Sequence, residues 1–159
     1  MKVHFSEIWR DPGHVLSFGF GSGLLPRAPG TWGTVAAIPL YLALSQCNWK
    51  IYLCVTILAF FLGILVCDRT ARFLNVHDDA RIVWDEIVGY LLTMFLMPVG
   101  WFWIVAGFVL FRVFDIWKPQ PIRWVDARVG GGLGIMLDDV LAAFFAWITL
   151  ALLVLGTHG

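Results

Sequence analysis

Residues 87–111 read IVGYLLTMFLMPVGWFWIVAGFVLF, a run of 25 residues without a charge. A helix of roughly 20 apolar residues crosses a hydrocarbon core about 30 Å thick, so this run is long enough for one membrane span. Pro98 is followed two positions later by Gly100, and this pair favours a turn over a helix interior. We therefore predict a helical hairpin, with helices at residues 81–96 and 101–117. One long kinked span is the alternative.

Three further apolar segments flank the hairpin, at residues 32–45, 51–67 and 140–157, and the first of them is short. Of the 159 residues, 60% are hydrophobic and 14% are charged, whereas about 25% charged residues is usual in soluble domains. So few charges would cover a soluble globule badly, but a chain that faces lipid needs no such cover. The sequence predicts an all-α, polytopic membrane bundle of about five spans, built as one domain over residues 1–159.

The charges divide unevenly between the two ends of such a bundle. With five alternating spans, residues 1–31, 68–86 and 112–139 share one face, which carries ten of the 11 Lys and Arg residues and all 11 acids. Only Lys50 lies on the opposite face. Because Lys and Arg are enriched on the inner side of membrane proteins, the charged face is predicted to be cytoplasmic. The balance of 11 basic and 11 acidic residues gives no general field that would attract nucleic acid.

Acidic residues that are far apart in the sequence meet if the hairpin forms. Asp85 and Glu86 would begin one helix, Asp115 would end the next, and Asp138 and Asp139 would begin the last. Five carboxylates would then gather at one interface, and Mg²⁺ is commonly bound by one or two carboxylates together with substrate phosphate and water. Adjacent helical residues point about 100° apart. We therefore expect only one residue of each adjacent pair to face the shared centre.

Each of these acids also has a purely structural interpretation. Asp138 and Asp139 could cap the N-terminus of the last helix, where a carboxylate accepts free N–H groups. Asp115 does not fit that interpretation, because a negative charge near a helix C-terminus opposes the helix dipole. Its alternative is an ion pair with Arg112 or Lys118, three positions away on either side.

Three cations surround the stiff PxP segment of FRVFDIWKPQPIRW, residues 111–124. Arg112, Lys118 and Arg123 either anchor the chain to anionic lipid head groups or bind phosphate, for which Arg offers bidentate contacts and Lys a point charge. Two glycine-rich segments, residues 18–31 and 129–136, precede helices on the same face. Their glycines favour either close helix packing or a cradle of backbone N–H groups for phosphate.

Four blocks of the chain, in this order, carry a resemblance to a known family: GFGSGLLPRAPGT, VHDDARIVWDEIVG, FRVFDIWKPQPIRW and GGGLGIMLDD. Together they resemble bacterial phosphatidylglycerophosphatase A from about residue 18 to residue 143. The resemblance implies a Mg²⁺-dependent enzyme that hydrolyses phosphatidylglycerophosphate to phosphatidylglycerol and phosphate. It also implies a multi-pass protein of the bacterial inner membrane, with the lipid bilayer and a phospholipid substrate as its partners.

The resemblance also assigns site residues by matching motif. The acids form the reaction centre, with Asp85, Glu86, Asp138 and Asp139 as catalytic residues and Asp85, Glu86, Asp115 and Asp139 as Mg²⁺ ligands. The substrate-binding residues are Thr31, Arg112, Lys118 and Arg123. Attack by water is favoured over an aspartyl nucleophile, because the sequence shows no aspartyl-phosphate signature of the DxDx type.

A small transporter or channel for divalent cations is the main alternative from a different functional class. In such a protein the acids would line a path for the cation, and that path needs ionisable residues at bilayer depth. None of the predicted spans contains an ionisable residue in its apolar core, and this disfavours transport.

Overall fold

The computed structural model describes residues 5–76 and 79–157, and all regular structure in these ranges is helical. Residues 77–78 of the VHDDAR block lie outside the described ranges. The all-α prediction is confirmed. The helices are α1 (Phe5–Arg10), α2 (Pro12–Ser17), a 3₁₀ helix (Gly19–Leu24), α3 (Pro29–Leu44), α4 (Trp49–Leu74), α5 (Trp84–Thr93), α6 (Trp101–Trp117), α7 (Ile122–Arg128) and α8 (Gly131–Thr157).

Helices α4 and α8 are long and apolar enough to cross a membrane. They contain 26 and 27 residues, with a mean hydropathy of 2.4 and 2.3 in their most apolar windows. Only 28% and 22% of those windows are buried within the protein, whereas the core helix of a soluble protein would be mostly covered. Leu58 and Leu65 of α4 and Leu155 of α8 are among the large apolar side chains left exposed. These faces suit contact with lipid.

The central hairpin forms as the sequence predicts, although its first helix is shorter, at Trp84–Thr93 instead of residues 81–96. Helix α5 ends at Thr93 and α6 begins at Trp101, so the chain breaks around Pro98 instead of continuing as one kinked span. The Tyr90 hydroxyl near the end of α5 donates a hydrogen bond of 3.0 Å to the Ile104 carbonyl near the start of α6. This bond fixes the two helices against each other close to the turn.

Helix α5 lies at the centre of the bundle and packs against α3, α4, α6 and α8. Eight of its ten residues are buried. Ten helical residues extend for about 15 Å, which is half of a hydrocarbon core about 30 Å thick. Surrounded by its neighbours, α5 does not have to meet lipid along its length.

The last helix begins nine residues earlier than the sequence predicts. It starts at Gly131 instead of residue 140, so most of the glycine-rich segment 129–136 forms its first turns. Asp138 and Asp139 are therefore the eighth and ninth residues of α8, so the prediction that they begin the helix is wrong, and the alternative that they cap its N-terminus is excluded. The N-terminus of α8 has another partner, because the Gly132 N–H donates to Asp68 Oδ1 of α4 over 3.2 Å.

Close contact between α4 and α8 depends on Gly132. A Cβ atom at this position would overlap the Ile64 carbonyl oxygen and lie 2.8 Å from the Asp68 amide nitrogen. Both are backbone atoms, so neither can rotate away. The C-terminal part of α4 and the N-terminal part of α8 are thus held side by side at one end of the bundle.

We expect Gly132→Ala to destabilise the bundle by about 1–3 kcal/mol, as is usual when an atom is forced into a packed interior. The measurement is thermal unfolding of the detergent-solubilised protein. Gly156→Ala is the matched control, since it lies in the same helix and a Cβ there meets no atom within 4 Å. Equal unfolding temperatures for the two variants would contradict this account of the α4–α8 contact.

Candidate functional site

Three acidic side chains meet between α5 and α8. Asp85 and Glu86 lie in the first turn of α5, and Asp139 lies in the third turn of α8. One carboxylate oxygen from each of the three lies within 4.8 Å of the others. Gly89, one turn after Asp85, leaves the space that brings the helices together, since a Cβ there would lie 2.6 Å from Phe111 Cζ and 3.4 Å from Asp139 Cβ. We call Asp85, Glu86 and Asp139 the three-acid cluster.

The cluster is buried and its hydrogen bonding is incomplete. Asp85 Oδ1, Glu86 Oε2 and Asp139 Oδ2 are inaccessible to solvent and have no hydrogen-bond partner among the described residues. A buried charge without a partner costs several kcal/mol, and neighbouring like charges add to that cost. A hard cation such as Mg²⁺ or Ca²⁺ takes oxygen ligands of this kind. The donor set and the unpartnered oxygens therefore fit a divalent cation.

Arg112 of α6 links the cluster to Asp115. Its Nη1 atom lies 2.5 Å from Asp115 Oδ2 and 3.6 Å from Glu86 Oε1. Arg112 and Asp115 are both largely buried, with side chains 15% and 13% exposed. Asp115 thus makes the ion pair with Arg112 that the sequence offered as the alternative to metal binding. It is not a member of the three-acid cluster, although it lines the same cavity.

Lys118 occupies the other side of the site. It ends α6 in a left-handed conformation (φ 45°), and its Nζ atom lies 2.6 Å from Asp138 Oδ2 and 2.8 Å from Asp126 Oδ1. Burial lowers the pKa of Lys118, but the hydrogen bonds to Asp126 and Asp138 outweigh it and hold the pKa above its ordinary value. The lysine therefore remains positively charged beside the acids.

These residues surround one cavity of about 250 Å³. Every acid predicted for the site lines it, as do two of the three predicted cations: Asp85, Glu86, Asp115, Asp138, Asp139, Arg112 and Lys118. The third cation, Arg123, lines a neighbouring groove together with Arg112. Thr31 is not among the lining residues, whereas the three residues before it are.

The orientation prediction for the adjacent acids is half right. Asp139 faces the three-acid cluster while Asp138 faces Lys118, as expected for neighbours on a helix. Asp85 and Glu86 both belong to the cluster, so the prediction that only one of them faces the centre is wrong.

Two residues at the site were not selected from the sequence. Gly30 closes the cavity, because a Cβ there would overlap Glu86 Oε1 and lie 3.0 Å from Arg112 Nη1. The glycine-rich segment 18–31 was the sequence signal for this wall of the cavity, but the predicted substrate-binding residue was the next one, Thr31. Asp126 of α7 holds Lys118. No spacing rule links it to Lys118, because the pairing depends on how α7 folds back against α8.

Comparison with known proteins places these residues in a family. The model of the family described as "Phosphatidylglycerophosphatase A" matches residues 15–154. The chain is 47% identical to phosphatidylglycerophosphatase A of Escherichia coli over 133 residues, which cover 83% of this chain and 77% of the relative. It is 49% identical to phosphatidylglycerophosphatase A of Haemophilus influenzae over 140 residues, covering 87% and 86%.

A third relative, from Bacteroides thetaiotaomicron, is provisionally named as a phosphatidylinositol-3-phosphatase and is 35% identical over 146 residues, covering 86% of this chain and 90% of the relative. No solved structure matches the chain. The family match spans the three-acid cluster, Arg112 and Lys118. The chain therefore belongs to the phosphatidylglycerophosphatase A family, a family of phosphatases that act on a phosphate monoester.

Proposed function

We propose that this protein hydrolyses the terminal phosphomonoester of phosphatidylglycerophosphate, in a Mg²⁺-dependent reaction at the cytoplasmic face of the bacterial inner membrane. Family membership supports the reaction and the substrate. The observation that carries the proposal is the single cavity that joins the three-acid cluster to Arg112 and Lys118. Such a cavity offers acidic ligands for a metal and cations for a phosphate in the same place.

Asp85, Glu86 and Asp139 would hold the metal, since their unpartnered oxygens fit a hard cation. When bound, Mg²⁺ supplies positive charge that offsets the negative charge of the phosphoryl oxygens. Asp115, which the sequence also suggested as a ligand, has a defined task through its ion pair with Arg112. We assign it to orienting that guanidinium.

Arg112 and Lys118 bind the phosphate. A phosphomonoester dianion repels an incoming nucleophile, and fixed cations placed around its oxygens reduce that repulsion. Asp115 and Asp138 hold the two cations in position, which keeps their donors oriented before the substrate arrives. The nucleophile is water, and Asp138 Oδ1, which has no partner among the described residues, accepts the proton that this water loses.

The test is phosphate release by the detergent-solubilised protein from phosphatidylglycerophosphate, with phosphatidylinositol 3-phosphate as a second substrate. We expect release from phosphatidylglycerophosphate and a much slower release from the inositol lipid. No release from phosphatidylglycerophosphate would overturn the assignment of substrate. Rapid quenching in acid tests the nucleophile, because a phosphoenzyme trapped on an aspartate would exclude direct attack by water.

The proposed topology has five spans within one domain, formed by α3, α4, α6 and α8 and by the short α5 together with residues 94–100 that follow it. Two hydrogen bonds support the view that α4, α6 and α8 share one polar end of the bundle. Asp68 of α4 accepts a hydrogen bond from the Gly132 amide at the start of α8, and Lys118 at the end of α6 donates one to Asp138. The C-terminal ends of α4 and α6 therefore both contact the N-terminal part of α8. The positive-inside pattern of the sequence supports a cytoplasmic location for this end.

Labelling of lysines in intact cells tests this orientation. We expect a membrane-impermeant amine reagent to modify Lys50, which is exposed at the start of α4, without permeabilisation. Lys118 should react only after the membrane is opened and the protein is unfolded, because it is ion-paired at the opposite end. Protection of Lys50 in intact cells, with labelling after permeabilisation, would contradict the proposed orientation.

Cation transport gains one observation in its favour. Asp138 and Asp139 lie inside α8, a candidate span that is longer than the predicted one at residues 140–157. Family membership nevertheless favours the phosphatase. Uptake of Mn²⁺ by proteoliposomes that contain the protein separates the two functions, and the phosphatase account predicts no uptake above empty liposomes.

A further inference from the structure

A second cavity opens beside the three-acid cluster, between α6 and α7. It has a volume of about 630 Å³ and is lined by six residues of α6 and one of α7: Phe108, Val109, Arg112, Val113, Ile116, Trp117 and Arg123. We call it the α6–α7 groove. Five of its lining residues are apolar, and Ile116 and Trp117 are 70% and 66% exposed. The groove therefore presents an open apolar surface with two arginines.

The groove is continuous with the proposed reaction site through Arg112. This residue lines both the groove and the acidic cavity, and its guanidinium is ion-paired with Asp115 and lies close to Glu86. The ten residues of α6 from 108 to 117 rise by about 15 Å, which is half of the hydrocarbon thickness. The groove thus runs from the polar end of α6 into the apolar part of the bundle.

Arg123 lies on the other wall of the groove and is exposed. It forms no ion pair with a residue in the described ranges, unlike Arg112. Phosphatidylglycerophosphate carries two anionic groups, a terminal phosphomonoester and the phosphodiester next to its glycerol backbone. A second cation near apolar surface is complementary to that phosphodiester, since arginine forms bidentate hydrogen bonds with phosphate oxygens.

We propose that the α6–α7 groove binds the glycerol backbone and an acyl chain of the phospholipid substrate, with Arg123 on its phosphodiester, so that the substrate reaches the three-acid cluster sideways from the bilayer past Arg112. This inference rests on the proposed function, because it takes phosphatidylglycerophosphate as the substrate. It adds the route of access and the part of the protein that holds the lipid tail.

Photo-crosslinking tests the occupant directly. The protein is reconstituted in phosphatidylcholine vesicles with a phosphatidylglycerophosphate analogue that carries a diazirine in one acyl chain, irradiated and mapped by mass spectrometry. We expect labelling concentrated on residues 108–117 and reduced by excess unlabelled substrate. Labelling of similar intensity on the exposed face of α4, unchanged by the competitor, would show ordinary surrounding lipid and overturn the proposal.

A pair of matched variants tests the groove by kinetics. Val109→Trp fills the groove from α6, and Val55→Trp adds the same bulk to the exposed face of α4; the two valines are 49% and 39% exposed. Loss of binding that is equal in the ground and transition states raises KM without changing kcat. We expect Val109→Trp to raise KM for the micellar substrate by about tenfold, which corresponds to roughly 1.4 kcal/mol of binding.

Val55→Trp should leave KM within about twofold of the wild-type value, as expected for a surface change away from the groove. An unchanged KM in Val109→Trp, or an equal rise in both variants, would overturn the groove proposal. The proposed function is tested separately by phosphate release from the wild-type protein. If the wild-type protein releases phosphate and the crosslinking shows no competition, the groove proposal fails and the proposed function stands.

Discussion

Replacing Asp139 by asparagine is expected to lower phosphate release from phosphatidylglycerophosphate by at least about 100-fold, which is the usual scale when a metal ligand or its support is removed. Asp139 joins Asp85 and Glu86 in a buried cluster, and one of its carboxylate oxygens has no hydrogen-bond partner among the described residues. Asparagine has nearly the same shape but no charge. It should therefore preserve packing while weakening the binding of a cation.

Loss of activity in this variant should not come from loss of folding. Removal of one of several neighbouring buried charges reduces their mutual repulsion, so the metal-free variant should unfold at or above the wild-type temperature. Asp85→Asn should behave in the same way, since Asp85 is another member of the cluster. Thermal unfolding in detergent, with chelator present, checks this part of the prediction.

Asp68→Asn is the matched control. Asp68 accepts a hydrogen bond from the Gly132 amide, which asparagine can preserve. The change removes only an ion pair with Arg72, whose side chain is 80% exposed, and exposed pairs contribute about 0–1 kcal/mol. Activity within about twofold of wild type is therefore expected. Near wild-type activity in Asp139→Asn, or the same loss in both variants, would contradict the role of the cluster.

Removal of divalent cations is the second change for which we expect a large effect. Chelation should reduce phosphate release to less than about 1% of its initial rate, and excess Mg²⁺ should restore it, if the metal supplies the charge that the reaction needs. The three-acid cluster explains why chelation should reduce the rate of phosphate release so strongly. Arg112 and Lys118 are already paired with carboxylates, so they alone cannot balance both the acids and a phosphate dianion.

Stability should respond to the metal in the same way. A ligand that binds only the folded protein stabilises it by about 2.7 kcal/mol when its concentration is 100 times its Kd. We therefore expect Mg²⁺ to raise the unfolding temperature of the wild-type protein and to have little effect on Asp139→Asn. Full activity in excess chelator, together with an unfolding temperature that does not change when Mg²⁺ is added, would exclude a metal at this site.

The central hairpin could be predicted from the sequence because its signals are local. Pro98 and Gly100 mark the break, and the helix after them was predicted at residues 101–117, as the structure has it. The start of α8 could not be predicted in this way. Its glycines indicate a loop when taken alone, and they become helical where α4 supplies a partner, Asp68, for the Gly132 amide.

In the site, too, residues with a local sequence signal could be predicted, whereas contacts between distant segments could not. Asp85 and Glu86 could be selected because they begin a helix beside an apolar run, and Asp115 because its charge opposes the dipole of its own helix. The pairing of Lys118 with Asp126 depends on the packing of α7, and no sequence spacing expresses it. The tight fit of Gly30 against Glu86 is likewise a contact between distant segments.

The position of Asp138 and Asp139 along their helix is the property that the sequence misjudged most. The acids were expected at the ends of helices, but Asp139 lies in the third turn of a 27-residue helix. The extra length comes from the helical glycine-rich segment, which puts two turns of helix before Asp138 and Asp139. A buried position strengthens electrostatic interactions between the acids, the cations and a phosphate, because little water screens them.

Binding of Mn²⁺, used as a spectroscopic substitute for Mg²⁺ at oxygen ligands, tests the central claim most directly. The loss of the free Mn²⁺ signal in electron paramagnetic resonance is measured as the purified protein is added, for the wild-type protein, Asp139→Asn and Asp68→Asn. We predict saturable binding by the wild-type protein and Asp68→Asn that Mg²⁺ displaces, and severely weakened binding by Asp139→Asn. Absence of saturable binding in the wild-type protein, or equal binding by Asp139→Asn, would contradict a metal site at Asp85, Glu86 and Asp139.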